Sequence, residues 1–306
     1  MIAFLFPGQG SQFSGMGKAL ADNFTAARRV FEEACDALGY DIAGLCFSGA
    51  EDELKLTANT QPAILTMSIA ALRVIEQETD YKPAYAAGHS LGEYSALVCA
   101  GALGFADAVR TVRQRGTFMQ EAVPVGVGAM AAVMGIERAD LEQICRDAAE
   151  GEVVEPANFN SPGQIVIAGH APAVERAMEL ARQRGAKRAL PLPVSAPFHS
   201  SLMAPAARRL AEVLGEVTVH PFQCPVVGNV KAEPYREQSV VRPLLVEQVC
   251  APVCWDQSVA RMADLGVGHF VEIGPGKVLS GLVKRIVKGS KIQNVGDVAD
   301  LAKLQS

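Results

Sequence analysis

A chain of 306 residues, 49% hydrophobic and 20% charged, carries enough apolar mass for one large core or two unequal ones. Its formal charge of −5 gives no reason to expect nucleic-acid binding, and its richest apolar run, Tyr94 to Ala106, is too short and too interrupted by glycine to span a membrane. Seven scattered cysteines and an N-terminus without a basic flank argue for reduced thiols in a cytoplasmic protein. Cys250 and Cys254 lie four apart with no His or further Cys to complete a zinc site, so both read as packing residues and no metal is expected.

In chain order, Ile2-Ala3-Phe4-Leu5-Phe6 is a short apolar run ended by Pro7-Gly8, the mark of a buried strand and a turn. Helical patterns occupy 17–38 and 61–77. Residues 84–87 form a small-residue strand running into Gly88-His89-Ser90, and helices follow over 92–102 and 105–119. Strands alternating with helices predict a parallel, helix-covered sheet. The middle of the chain has another rhythm. A strand at 130–134, a helix at 138–149, strands at 153–158 and 164–168 around the turn Asn160-Ser161-Pro162-Gly163, a helix at 172–184 and a strand at 188–194 give β-α-β-β-α-β. That order is the ferredoxin-like plan, bracketed by joints rich in glycine and proline. The expected organisation is a large α/β domain over 1–125 and 196–306, with a small ferredoxin-like subdomain inserted at 126–195. The main sheet resumes with strands at 224–230 and 270–273.

Gly88-His89-Ser90-Leu91-Gly92 lies between a strand and a helix. Such a turn stands the serine at the strand's end and faces it with the helix N-terminus, so Ser90 is the expected nucleophile of an acyl-transfer enzyme. A serine needs a base, and five histidines are available. His89 adjoins the serine and would leave the turn in another direction, while His170, His220 and His269 fit structural roles. His199, in Pro197-Phe198-His199-Ser200-Ser201, lies at the joint where the insert ends, a favoured place for a cleft. A hydrolase of the α/β type would place an acid after the serine and a histidine near the C-terminus, which counts against an esterase or lipase.

The chain resembles the malonyl-CoA:acyl-carrier-protein transacylases of fatty-acid synthesis and, more distantly, the acyltransferase domains of polyketide synthases. Residues 6–12, Phe-Pro-Gly-Gln-Gly-Ser-Gln, carry the likeness, as do Gly88-His89-Ser90-Leu91-Gly92-Glu93, Arg115-Gly116 with Met119-Gln120, and residues 158–164. Phe198-His199, Pro252-Val253 with Trp255, and residues 272–276 complete it. The resemblance implies a hydrolase-like α/β core with a ferredoxin-like insert. It further implies that Ser90 takes the acyl group from CoA as an ester, with His199 as base and then acid. Backbone amides of Gln9 and Leu91 would form the oxyanion hole, and the main-chain carbonyl of Gln248 would orient His199, which fits the missing triad acid. Arg115 would grip the free carboxylate of malonate, where a planar guanidinium offers two parallel hydrogen bonds. Gln9, Asn160 and Phe198 would line the substrate site, the Phe198 ring favouring malonyl over methylmalonyl. Arg110 and Arg113 are taken as solvated helix residues.

Gly8-Gln9-Gly10 lacks the third glycine of a dinucleotide fingerprint, and Gly274-Pro275-Gly276-Lys277 lacks the spacing of a phosphate-binding loop. No cofactor beyond CoA as substrate is therefore expected, and a monomer without membrane contact is the expected state. From Ile273 to Gly296 there is no acid, yet Lys277, Lys284, Arg285, Lys288 and Lys291 all occur. This is either a solvated helix face or a surface that recruits acidic acyl carrier protein. A polyketide-pathway acyltransferase, a serine thioesterase or esterase, and a non-catalytic carrier-protein-binding module remain the alternatives.

Overall fold

The computed structural model describes residues 1–194 and 196–305, so Ser195, at the expected end of the insert, lies outside the described residues. The strands are β1 (Ile2–Phe6), β2 (Tyr85–Gly88), β3 (Gly128–Met134), β4 (Val154–Ser161), β5 (Gln164–His170), β6 (Arg188–Pro191), β7 (Val226–Val227), β8 (Pro234–Tyr235), β9 (His269–Ile273) and β10 (Lys291–Val295). Six of them form one sheet in the order β10-β9-β1-β2-β7-β8, parallel except for the hairpin partner β8. Because both faces of a parallel sheet are covered, its central strand is apolar at every position. Phe4 and Phe6 of β1 enter the main core, packed against helix Thr57–Glu78 and its neighbours, whereas Ala3 and Leu5 enter a second cluster with Trp255, Val259 and Phe270.

The other four strands make an antiparallel sheet in the order β4-β5-β3-β6. Helices Arg138–Ala149 and Ala171–Gln183 cover one face, where Ala131, Val133, Ile165 and Ile167 meet Leu141, Ile144, Val174 and Ala177. The opposite face, with Met130, Ala132, Val166 and Ala168, joins the main core. Strand β4 is also tied to the larger body by the backbone, since Phe159 N–H donates to the Val253 carbonyl (2.9 Å) and Val253 N–H to the Ala157 carbonyl (2.9 Å). The two sheets therefore meet along a seam, and Leu192, Val194 and Phe198 border it.

Several boundaries differ from expectation for identifiable reasons. The helix expected at 17–38 is two helices, Lys18–Asn23 and Thr25–Leu38, separated by extended Phe24, which turns Ala27, Val30, Phe31 and Ala34 onto the core. The helix expected to start at 61 starts at Thr57 and runs through Pro62. Proline has no N–H for the carbonyl of Ala58, and that carbonyl accepts instead from Arg113 (2.7 Å). Strand β6 stops at Pro191 rather than 194, and β7 is confined between Pro225 and Gly228. Strand β4 continues to Ser161, so the turn narrows to Pro162-Gly163. Among the described residues no helix is long and apolar enough to cross a membrane.

Candidate active site

Strand β2 ends at Gly88 and helix Gly92–Cys99 begins four residues later, leaving His89, Ser90 and Leu91 to reverse the chain. Ser90 sits at φ 51°, the left-handed region that non-glycine residues avoid. The flanking glycines permit it. A Cβ on Gly88 would lie 1.9 Å from the carbonyl of Gly92, and one on Gly92 would lie 2.1 Å from the Phe6 oxygen. Asn229, just beyond β7, clamps the turn: its Oδ1 accepts from Ser90 N–H (2.6 Å) and its Nδ2 donates to the Gly88 carbonyl (2.7 Å).

His199, 4% exposed, reaches Ser90 Oγ through Nε2 at 2.7 Å, while its Nδ1 meets the main-chain carbonyl of Gln248 at 2.8 Å. A carbonyl can only accept, so Nδ1 carries the proton and Nε2 presents its lone pair to the hydroxyl. Burial first, and then the neighbouring Arg115 cation, push the imidazole down to about 3, keeping it neutral with its Nε2 lone pair free. His199 also holds a left-handed backbone, φ 58°, at the joint after the small sheet.

Arg115 reaches the same point from helix Phe105–Glu121 and is 1% exposed. Its two terminal nitrogens donate to Gln61 Oε1 (2.8 Å), Gln248 Oε1 (2.9 Å) and Ser90 Oγ (3.2 Å), and its buried Nε has no partner among the described residues. Burial lowers its pKa from the ordinary value. Glu93 is a carboxylate that acts on this guanidinium, from beyond direct contact, and the free Nε leaves the cation donor capacity beside the nucleophile. The cavity of about 120 Å³ in front of Ser90 is lined by Gln9, Leu91, Arg115, Phe198 and His199, among others. The backbone amides of Gln9 and Leu91 donate to no acceptor among the described residues.

The acyl transferase domain family matches residues 3–304. The malonyl CoA-acyl carrier protein transacylase of Escherichia coli K12 is 55% identical over 286 residues, covering 94% of this chain and 93% of the relative. That of Bacillus subtilis 168 is 52% identical over 297 residues, covering 97% and 93%. The chain belongs to the malonyl-CoA:acyl-carrier-protein transacylase family. It is an acyltransferase. A solved acyl carrier protein S-malonyltransferase from Vibrio cholerae superimposes with a TM-score of 0.97 at 49% identity, covering 99% of each chain. The structure of a type II polyketide acyl-carrier protein in complex with its malonyl-transacylase matches with a TM-score of 0.96 at 48% identity, covering 99% of this chain and 98% of the other.

Within this family site, Ser90, His199, Arg115, Gln248, Gln9, Leu91 and Phe198 converge. Asn160 does not line the cavity in front of Ser90; its Oδ1 accepts from His89 Nε2–H (2.8 Å), and it lines an adjoining groove with Gly8 and Gly10. His89 does leave the turn away from the nucleophile, packing its ring 5.6 Å from that of Trp255. Of the two arginines taken as solvated, Arg110 pairs with Asp107 at the surface, but Arg113 is half-buried against Tyr40 and the carbonyl left free by Pro62. Sequence reasoning missed Gln61, Glu93 and Asn229. Asn229 had a signal, a polar residue just past a strand of a parallel sheet, where such folds place their sites. Gln61, facing inward on an apolar helix, had none.

Proposed function

We propose that the protein transfers the malonyl group of malonyl-CoA to the phosphopantetheine thiol of acyl carrier protein, supplying extender units for fatty-acid synthesis. The observation that carries this reading is the relay from the Gln248 carbonyl through His199 to Ser90, with an ion-pair-free buried arginine 3.2 Å from the nucleophile. His199 Nε2 takes the Ser90 proton as Oγ attacks the thioester carbonyl. The oxyanion lies against the amides of Gln9 and Leu91, donors of the kind that contribute a few kcal/mol to such transition states. Collapse expels the CoA thiolate, which leaves with the proton held by His199, and a malonyl-Ser90 ester remains. The carrier-protein thiol then gives its proton to His199 and attacks the ester, and Ser90 recovers a proton on leaving. Arg115 binds the malonyl carboxylate and Phe198 limits the room at its C2.

CoA is a substrate in this scheme and no separate cofactor takes part. The strand order β4-β5-β3-β6 with both helices on one face supports a ferredoxin-like subdomain at 126–195 inserted into a hydrolase-like domain formed by 1–125 and 196–306. The protein acts as a cytoplasmic monomer that meets its carrier transiently. Exposed Lys284 and Lys288 then attract the acidic carrier protein. A malonyl-transacylase 48% identical to this chain is solved with a type II polyketide carrier, which makes such a carrier the second acceptor class.

Intact-mass measurement after mixing with malonyl-CoA should show one malonyl adduct, absent from Ser90→Ala. Equal labelling of that variant, or rapid CoA release to water without carrier protein, would overturn the transferase reading. Raising salt, or the double change Lys284→Glu and Lys288→Glu, should raise KM for carrier protein and leave that for malonyl-CoA alone. A salt-independent KM would remove the docking role.

A further inference from the structure

Glu93, the residue after Gly92, is a carboxylate at 1% exposure that takes no part in the scheme above. Its Oε2 accepts from Gln248 Nε2 (2.7 Å) and Asn229 N–H (3.1 Å), and its Oε1 accepts from the Tyr235 hydroxyl (2.9 Å). The same Gln248 Nε2 also donates to the Ser90 carbonyl (3.1 Å). Both partners of that nitrogen are pure acceptors, so the amide has one permitted orientation, with its NH2 toward Glu93 and Ser90 and its oxygen toward Arg115. Flipping it would set an NH2 against the guanidinium and an oxygen against the carboxylate, two repulsive contacts in a site shut off from water.

We infer that Glu93 is a positioning residue for the substrate carboxylate, acting through the side chain of Gln248. By fixing that amide, Glu93 presents an acceptor to one terminal nitrogen of Arg115 at 2.9 Å, while Gln61 presents another at 2.8 Å. The guanidinium plane is thereby set, and with it the direction in which the fork receives an anion. Burial pushes the Glu93 carboxyl above its ordinary value, while the hydrogen bonds from Gln248, Asn229 and Tyr235 and the nearby Arg115 cation pull it back toward the ionised, acceptor-only form. Gln248 thus serves twice: its backbone carbonyl orients the base, and its side chain orients the arginine. The inference rests on Arg115 being the malonyl ligand.

The test is the ratio of kcat/KM for malonyl-CoA to that for acetyl-CoA in Glu93→Met, Glu93→Gln, Gln248→Met and Arg115→Met. Glu93→Met frees the amide, and the ratio should fall about tenfold, mostly through KM for malonyl-CoA, as when a charge-assisted contact is misaligned. Glu93→Gln should restore most of the ratio, because its amide oxygen can still accept from Gln248 and Asn229 while its NH2 faces the Tyr235 oxygen. Gln248→Met, which keeps the carbonyl that His199 uses, should lower the ratio as Glu93→Met does. It decides the matter if Glu93→Met does not fold. Equal losses for both substrates in Glu93→Met, or an unchanged ratio in Gln248→Met, would overturn the relay. An unchanged ratio in Arg115→Met would instead remove the carboxylate reading beneath it.

Discussion

Replacing Arg115 by Met keeps the aliphatic stem in its buried channel and removes the only cation that touches Ser90 Oγ among the described residues. A malonyl carboxylate would gain two charge-assisted hydrogen bonds from this fork, each contributing about 1.5–3 kcal/mol. The lower figure applies, because the nitrogens already hold Gln61 and Gln248 and must share or exchange them. Two such bonds give about 3 kcal/mol, or a loss of about 100-fold in kcat/KM for malonyl-CoA. Acetyl-CoA should change in the opposite direction, since a neutral acyl group no longer has to sit beside a buried cation that it cannot neutralise. The variant also leaves Gln61 Oε1 and Gln248 Oε1 without their donor, so Tm should drop, in line with about 1–3 kcal/mol per orphaned group. Steady-state transfer to carrier protein from both acyl-CoAs, with Tm alongside, reads all three effects. If malonyl and acetyl transfer fell by the same factor, Arg115 would be a structural residue.

Three further predictions concern the pH dependence of activity and of stability and the turn that carries the nucleophile. Because His199 is held near 3 instead of 6.5, kcat/KM for malonyl-CoA should stay level from pH 7 to about 5; a halving near 6.5 would contradict the assigned environment. The unfolded chain binds that proton more readily than the native one, so His199 contributes stability fully above its unfolded pKa of 6.5 and loses it as pH falls toward 3. Denaturant titrations across that window should show wild type losing more stability than His199→Gln. Gly92→Ala should cost stability at or above the upper end of the range of about 1–3 kcal/mol for overpacking, because its Cβ meets the backbone of β1 and not a pliable side chain. Labelling of Ser90 by a fluorophosphonate should collapse with it, and wild-type labelling would show that the turn tolerates a side chain.

Features encoded locally were legible from the residues. Gly88, Ser90 and Gly92 announce a tight turn through their spacing together with the strand before them and the helix after, and the β-α-β-β-α-β order emerged from alternating periodicities. His199 stood out by its place at a joint. What stayed hidden depends on packing between distant segments. Glu93 reads as one more polar residue in a helix until Gln248 and Tyr235 close around it. The likeness to known transacylases assigned Gln248 a carbonyl role and said nothing of its side chain. Strand β10 is an edge strand whose residues are mostly half-buried, so no alternation marks it. Helix Ala204–Glu216, by contrast, repeats Ala206, Ala207, Leu210 and Leu214 at helical spacing and was within reach of sequence reasoning.

The seam between the two sheets divides labour across the cavity. Ser90, Arg115 and the support from Gln61 and Gln248 all belong to the larger body, whereas Met130, Asn158, Leu192, Val194 and Phe198 are contributed by the smaller sheet and the joint beside it. A change of volume on that second wall should therefore alter which acyl chain is admitted while leaving Ser90 and Arg115 in place. An engineer seeking a new extender unit has that wall to work on.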